Sequence, residues 1–275
     1  MKRLIALCLL TAGCLNGAEP AGKTWALLIG ISEYRKLPHD LWLQYPDADA
    51  KAFEAFLASP RGGSVPAGQM LLLTNAQATT AAIREAFRSF LKDKPGRNDT
   101  VYVLIAGHGT VDASGAYILT SDSDPENLAG TALPMAELHT VVEQGLTKAG
   151  RVILLADVCR AATIAGQKTA SLGGVVEKLG EAQGEMLGLM AARPKELSNE
   201  GPDFGGGHGA FTWSVLRGLS GAADADHDGF VTAGELIDFV SADVKKLTSD
   251  RQHPRDFGNI ENTTRLSDLS KSGPK

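Results

Sequence analysis

Cysteine, aromatic side chains, long apolar runs and an excess of one charge are all scarce in this 275-residue sequence. Its three cysteines are Cys8, Cys14 and Cys159, and no Cys-x-x-Cys pair occurs, so a disulfide scaffold, a zinc ribbon and a dithiol redox centre are excluded. After the first twenty residues no apolar run reaches the roughly 18 residues that a membrane-spanning helix needs. Twenty-seven basic against 32 acidic side chains leave a net charge of -5, and nothing in that balance suggests a nucleic-acid partner. No Gly-x-Ser-x-Gly elbow occurs, which argues against an α/β-type serine hydrolase. No internal repeat stands out. What is present is a hydrophobic fraction of 43 %, ample for one core, and one domain is the simpler organisation.

The N-terminus reads as an export signal. Lys2 and Arg3 precede the apolar stretch from Leu4 to Leu10, and small residues follow. Two processing modes stand open: ordinary cleavage near Ala18, or lipidation of Cys14 within a lipobox-like Thr11-Ala12-Gly13-Cys14. The expected location is therefore periplasmic or secreted, with a lipid anchor at Cys14 as the one route to a membrane. Residues 1–18 are assigned to the signal, which leaves Cys159 as the thiol of the folded body.

Gly17 to Thr24 fits the phosphate-loop pattern letter for letter, but its context is inverted. A phosphate loop needs a strand before it and a helix after it, so that helix N-terminal amides face the phosphates. Here a cleavable segment precedes it and the strand-like run Trp25 to Ile31 follows, so the match is rejected.

Five short apolar runs predict buried strands: Trp25 to Ile31, Met70 to Leu73, Val101 to Ala106, Val152 to Ala156 and Met186 to Ala191. They are continuous rather than alternating, as expected of strands covered on both faces. Helical spacing lies between them. Asp47 to Leu57 places Ala50, Phe53 and Phe56 on one side; Thr79 to Leu91 places Ile83, Phe87 and Leu91 four apart, with Thr79 or Thr80 as cap; Leu133 to Leu146 repeats Leu138, Val141 and Val142. Residues 161–185 and 193–207 read as loops, 208–219 and 234–247 as helices, and 263–275 as a polar tail. Alternating strands and helices imply an α/β fold, a mostly parallel central sheet with helices on both faces.

In such a sheet ligands bind beyond the carboxyl ends of the strands. The third predicted strand runs into Ala106-Gly107-His108-Gly109 and the fourth into Asp157-Val158-Cys159-Arg160. A thiol becomes a strong nucleophile beside an imidazole, and glycines let a substrate carbonyl approach the backbone.

These residues resemble the caspase-like cysteine peptidases, especially the metacaspase and bacterial caspase-like branch. The family carries a Gly-His-Gly strand end and an Asp-x-Cys at the next central strand end, and His108 and Cys159 show its roughly 50-residue separation. Ala26 to Tyr34, Asp47-Ala48, Gly207 to Thr212 and Gln252-His253-Pro254 are similar to further family segments, in order along the chain. The resemblance implies a three-layer sandwich over residues 24–262. It implies His108 as base, Cys159 as nucleophile, and backbone N–H groups of Gly109 and Cys159 as the oxyanion hole. No third orienting residue can be assigned. His39, His139, His208, His227 and His253 sit at no predicted strand end and read as surface or packing histidines.

Asp157 stands where animal caspases carry glutamine. With Asp47 at the Asp-Ala helix start, the resemblance implies a pocket for a P1 arginine or lysine, since two carboxylates favour a cation and repel an aspartate. Asp49 is a close rival to Asp47, and helix N-capping is the other reading of Asp47. Arg160 departs from the histidine of many metacaspases but matches animal caspases. By the same analogy Lys168 and Lys178 are candidate self-cleavage points. The expected partners are a peptide or protein substrate, with no nucleic acid, and the oligomeric state is open.

Asp224 to Glu235 matches a twelve-residue EF-hand loop. Asp224, Asp226, Asp228, the Phe230 carbonyl, Thr232 and Glu235 fall at the ligand positions, and Gly229 at the sharp turn. Calcium is the expected ion; the other reading is an acidic helix-loop-helix that binds no metal. No cofactor is required for the chemistry. Two functions therefore stand: a His–Cys endopeptidase, and a catalytically idle calcium- and peptide-binding module of the same fold.

Overall fold

The computed structural model describes residues 22–92, 94–141, 146, 148–160, 185–193 and 196–271; for His139, Cys159 and Arg160 the description is of the backbone. The signal segment with Cys14 and Ala18, most of the rejected phosphate-loop match, the expected loop over 161–184, and Lys168 and Lys178 lie outside the described residues. No described helix is long and apolar enough to cross a membrane.

In chain order the strands are β1 (Thr24–Gly30), β2 (Met70–Thr74), β3 (Thr100–Val111), β4 (Ala116–Ile118), β5 (Leu133–Pro134), β6 (Arg151–Arg160), β7 (Glu185–Met190), β8 (Glu200–Gly201), β9 (His208–Gly209), β10 (Phe230–Thr232), β11 (Arg255–Gly258) and β12 (Arg265–Asp268). The main sheet has the order β11-β7-β6-β3-β1-β2. The pairs from β2 through β7 along this path are parallel, and β11 closes the edge antiparallel to β7. β4 pairs antiparallel with the end of β3, and β5 with β4.

The helices are α1 (Pro46–Ala58), α2 (Thr80–Glu85), α3 (Leu128–Thr131), α4 (Met135–Thr140), α5 (Ala210–Arg217) and α6 (Ala233–Leu247). Strand periodicity divides the apolar residues between two cores. Leu27, Ile29, Val103 and Ile105 face α2, its wider continuation Ala86–Leu91, and α4. Leu28, Leu104, Ile153 and Leu155 face Phe53 and Leu57 of α1, Phe211 of α5 and Val240 of α6. Both sheet faces are covered, as the continuous apolar runs predict.

Four local readings are corrected. Leu133 and Pro134 extend the sheet as β5, and α4 begins only at Met135; proline supplies no amide to a ladder and sits on the outer strand. His208 and Gly209 form the hairpin β8–β9, with Gly209 preceding α5, whose end passes into a wide turn where Gly221 adopts φ 121°. β3 and β6 continue past their apolar cores, to Val111 and Arg160. Within the polar tail, β12 pairs with β10: the Arg265 guanidinium lies 3.6 Å from the Phe230 ring centre, and Ser267 Oγ donates to the Leu219 carbonyl at 2.6 Å. Thr79 caps α2 through the Ala82 N–H, as its position predicts.

The edge depends on one close approach. Gly188 of β7 faces Phe257 of β11, and a Cβ there would stand 1.9 Å from the ring. Gly188→Ala is expected to cost about 1–3 kcal/mol by overpacking, and Phe257→Leu in that background to recover part of it. Urea unfolding of the two variants checks this.

Candidate active site

β1 stops at Gly30, opposite Ala106, and the chain turns away with the Ile31 N–H donating to the Ala106 carbonyl at 2.9 Å. β3 and β6 continue together beyond that point, with Ala106 opposite Asp157, Gly107 opposite Val158, His108 opposite Cys159 and Gly109 opposite Arg160. The predicted histidine and cysteine are thus a register pair on adjacent parallel strands, about 4.8 Å apart in the hydrogen-bonding direction. They lie past the end of β1, where the sheet order reverses, which is where ligands enter open α/β sheets. Gly109 follows one position on, opposite Ile118 of β4 on its other side.

His108 is 8 % exposed and held from three directions. Its N–H donates to Tyr34 Oη at 2.8 Å, and that hydroxyl donates to the Ile31 carbonyl at 2.8 Å. The Tyr34 ring lies 5.0 Å from the imidazole. A Cβ on Gly107 would stand 2.9 Å from Tyr34 Oη, so glycine here lets the tyrosine approach. Nε2 lies 2.7 Å from the Leu41 carbonyl. A carbonyl only accepts, so Nε2 carries the proton and Nδ1 bears the free lone pair. Nδ1 is buried without a partner among the described residues. Burial lowers the imidazole pKa, partly opposed by the Leu41 bond, which favours the neutral base. The Leu41 carbonyl is the orienting group that sequence reasoning could not find, because a backbone acceptor leaves no signature in residue identity.

The acidic residues separate into two places. Asp47 accepts from Ser32 Oγ at 2.7 Å and Lys51 Nζ at 2.6 Å. Burial works against its charge, but the Lys51 and Ser32 bonds outweigh it and hold the carboxyl below its ordinary value. It does not cap α1, which begins at Pro46 after Tyr45. The partner of Asp157 is Asp49: both line a narrow cleft with Leu43, Pro46, Ala106, Ser198, Asn199, Glu200 and Gly209. A Cβ on Gly209 would meet Asp157 Oδ2 at 2.6 Å and Asp49 Oδ2 at 3.1 Å, so glycine separates the two carboxylates.

Asp157 is 6 % exposed; Ser198 Oγ donates to its Oδ1 at 2.6 Å, and Thr212 Oγ1 to its Oδ2 at 2.8 Å. Burial raises its pKa and those two residues restrain the rise. Asp49 is 2 % exposed, bonded to His208 Nδ1 at 2.7 Å and to the Gly209 N–H at 3.1 Å. Burial pushes it up to about 7, the His208 bond opposing and the Asp157 charge adding. Glu200 accepts the amides of Gln44 and Tyr45 at 2.9 and 3.2 Å, and its pKa too is raised by burial. His208, read from sequence as surface or packing, is instead the counter-group of Asp49, stacked on Trp213. His253 bonds Glu196 and Asp250, and His39 packs on Trp42.

The acidic loop brings together part of its predicted set. One carboxylate oxygen each of Asp224, Asp226 and Glu235 lie within 4.8 Å of one another. Asp228 accepts the Phe230 N–H at 2.8 Å instead, and Thr232 caps α6 in a reciprocal box with Glu235. Gly229 adopts φ 86°, the turn its position demands.

A family model described as the caspase domain matches residues 23–262. Among solved structures, the crystal structure of a Geobacter sulfurreducens protein is similar with a TM-score of 0.61. It is 17 % identical, over 90 % of this chain and 99 % of that one, and this likeness concerns the fold alone. No curated protein is significantly similar in sequence. The family match takes in the whole main sheet, both helical layers and the strand positions of His108 and Cys159, and on that span the chain belongs to the caspase-domain family of cysteine peptidases.

Proposed function

We propose that the protein is an endopeptidase that uses Cys159 as nucleophile and His108 as base, and cleaves after arginine or lysine. The observation that carries the proposal is the buried His108: its Nε2–H is fixed on a backbone carbonyl, its Nδ1 has no partner among the described residues, and Cys159 stands in register on the next strand. In this reading Nδ1 takes the thiol proton as the sulfur attacks the scissile carbonyl carbon. The N–H groups of Gly109 and Cys159 receive the oxyanion. The proton passes to the leaving amine, and water then hydrolyses the acyl-enzyme with His108 again as base.

The cleft at Asp49, Asp157 and Glu200 supports a cationic P1 side chain, with Asp49 in the place sequence reasoning gave to Asp47. Three carboxylates whose charged forms are disfavoured by burial would gain from a guanidinium, which can bond two oxygens at once; the cleft holds about 10 Å³ here and would have to widen to admit it. The export reading of residues 1–18 belongs to the same proposal and puts the peptidase outside the cytoplasm.

The loop over 224–235 fits calcium. Among the described residues Asp224 Oδ1 is buried without a partner beside the Asp226 and Glu235 oxygens, and hard oxygen donors are what calcium takes. The ion would join the end of α5 to the start of α6, bracing the layer that carries Thr212.

Two outcomes are expected. Fluorogenic peptides with Arg or Lys at P1 are cleaved and those with Asp are not, and Cys159→Ala lowers turnover by about a thousandfold or more. Asp49 gains its charge as pH rises through about 7, so kcat/KM for P1-Arg climbs across that range, and Asp49→Asn flattens the climb. Cleavage after Asp overturns the specificity, and an inert Cys159 with retained peptide binding favours the idle module. For the loop, isothermal titration with calcium alone is expected to give one site that Asp224→Asn abolishes; heat-free titration of the unaltered protein contradicts it.

A further inference from the structure

We propose that Gln252 is a positioning residue for the acidic cleft: its buried amide sets the direction of the Ser198 hydroxyl, and that hydroxyl holds Asp157 for a basic P1 side chain. The inference rests on the arginine/lysine reading above. Gln252 is 0 % exposed, follows α6 and does not line the cleft.

The polarity of its amide is fixed by neighbours with no alternative. Nε2 donates to the Ala191 carbonyl at 2.9 Å, which can only accept, and Oε1 accepts the Asn199 N–H at 2.8 Å, which can only donate. The second proton of Nε2 therefore faces Ser198 Oγ, 3.1 Å away, and occupies a lone pair there. The single hydroxyl proton of Ser198 is left for Asp157 Oδ1, at 2.6 Å. The opposite amide orientation would draw that proton to the glutamine and strip Oδ1 of its donor.

The electrostatic setting gives this consequence. Facing Asp157 are Asp49 from α1 and Glu200 from β8, with His208 from β9 committed to Asp49. Its neighbours are thus mainly acids, and the donors Ser198 and Thr212 are what favour its ionised form. The same amide ties two segments of the cleft to its own: the end of β7 through Ala191, whose N–H donates to the Ala156 carbonyl next to Asp157, and the Ser198–Asn199 segment.

The test compares Ser198→Ala, Gln252→Glu and Gln252→Met with the unaltered protein. Gln252→Glu puts an acceptor where Nε2 stood; Gln252→Met keeps the volume and removes the polarity, so the test survives a folding failure of the charged variant. Three readouts are taken: P1-Arg kinetics, titration of the Asp157 carboxyl by carbon-13 NMR, and alkylation of Cys159 by iodoacetamide, which makes no use of the cleft. Expected are a KM raised about tenfold, kcat within about twofold, Asp157 titrating at higher pH, and unchanged alkylation. The double variant Ser198→Ala/Gln252→Met is expected to go no further than Ser198→Ala alone. An Asp157 titration unmoved in the variants overturns the proposal, as does a joint fall of kcat and alkylation, which a merely structural brace would give. Failure of the unaltered protein to cleave after Arg or Lys sinks the specificity reading instead, and the carboxyl titration still decides the role of Gln252.

Discussion

Everything at this site depends on two parallel strands staying in register after their neighbour has left the sheet. β1 ends at Gly30, while β3 and β6 pair on through His108 and Cys159. The unpaired margin of β3 is taken up by Tyr34, which receives the His108 N–H, and by β4, so the extension does not leave its backbone groups orphaned in the interior. A register slip of one residue would exchange the two faces of β6 and take Cys159 from its position opposite the imidazole. The apolar residues of both cores, which alternate along the same strands, make such a slip costly.

The second constraint is the cost of charge. A buried carboxylate without partners is several kcal/mol unfavourable, and a hydrogen bond to a charged group returns about 1.5–3 kcal/mol. The cleft sits between those limits: Asp157 has its donors, Asp49 has His208 and the Gly209 amide, and all three acids remain biased toward the neutral form. In the proposed reading, an entering cationic side chain supplies the charge that burial withheld. The imidazole of His108 is handled in the opposite sense. Burial favours the neutral form of His108, and one backbone carbonyl fixes which nitrogen carries the proton.

The five central strands and the amphipathic helices were legible because their signals are local: continuous apolar runs, and repeats at helical spacing. His108 and Cys159 were legible for a related reason, since each follows directly on such a run. What the sequence concealed is set by contacts between distant segments. Asp47 and Asp49 are two residues apart, about 200° round the helix, and only the packing of α1 against β9 shows which one shares the cleft with Asp157. Leu41 acts through its carbonyl, Gln252 through an amide 95 positions from Asp157, and β12 through an arginine over a phenylalanine ring. None of these has a period or a composition to betray it.

The central claim is that His108 activates the thiol of Cys159, and the pH dependence of alkylation by iodoacetamide addresses it without relying on substrate choice. The account predicts reactivity well below the ordinary cysteine range near pH 8.5, lost to that ordinary range in His108→Ala. A thiol that titrates near 8.5 with and without the imidazole would contradict it.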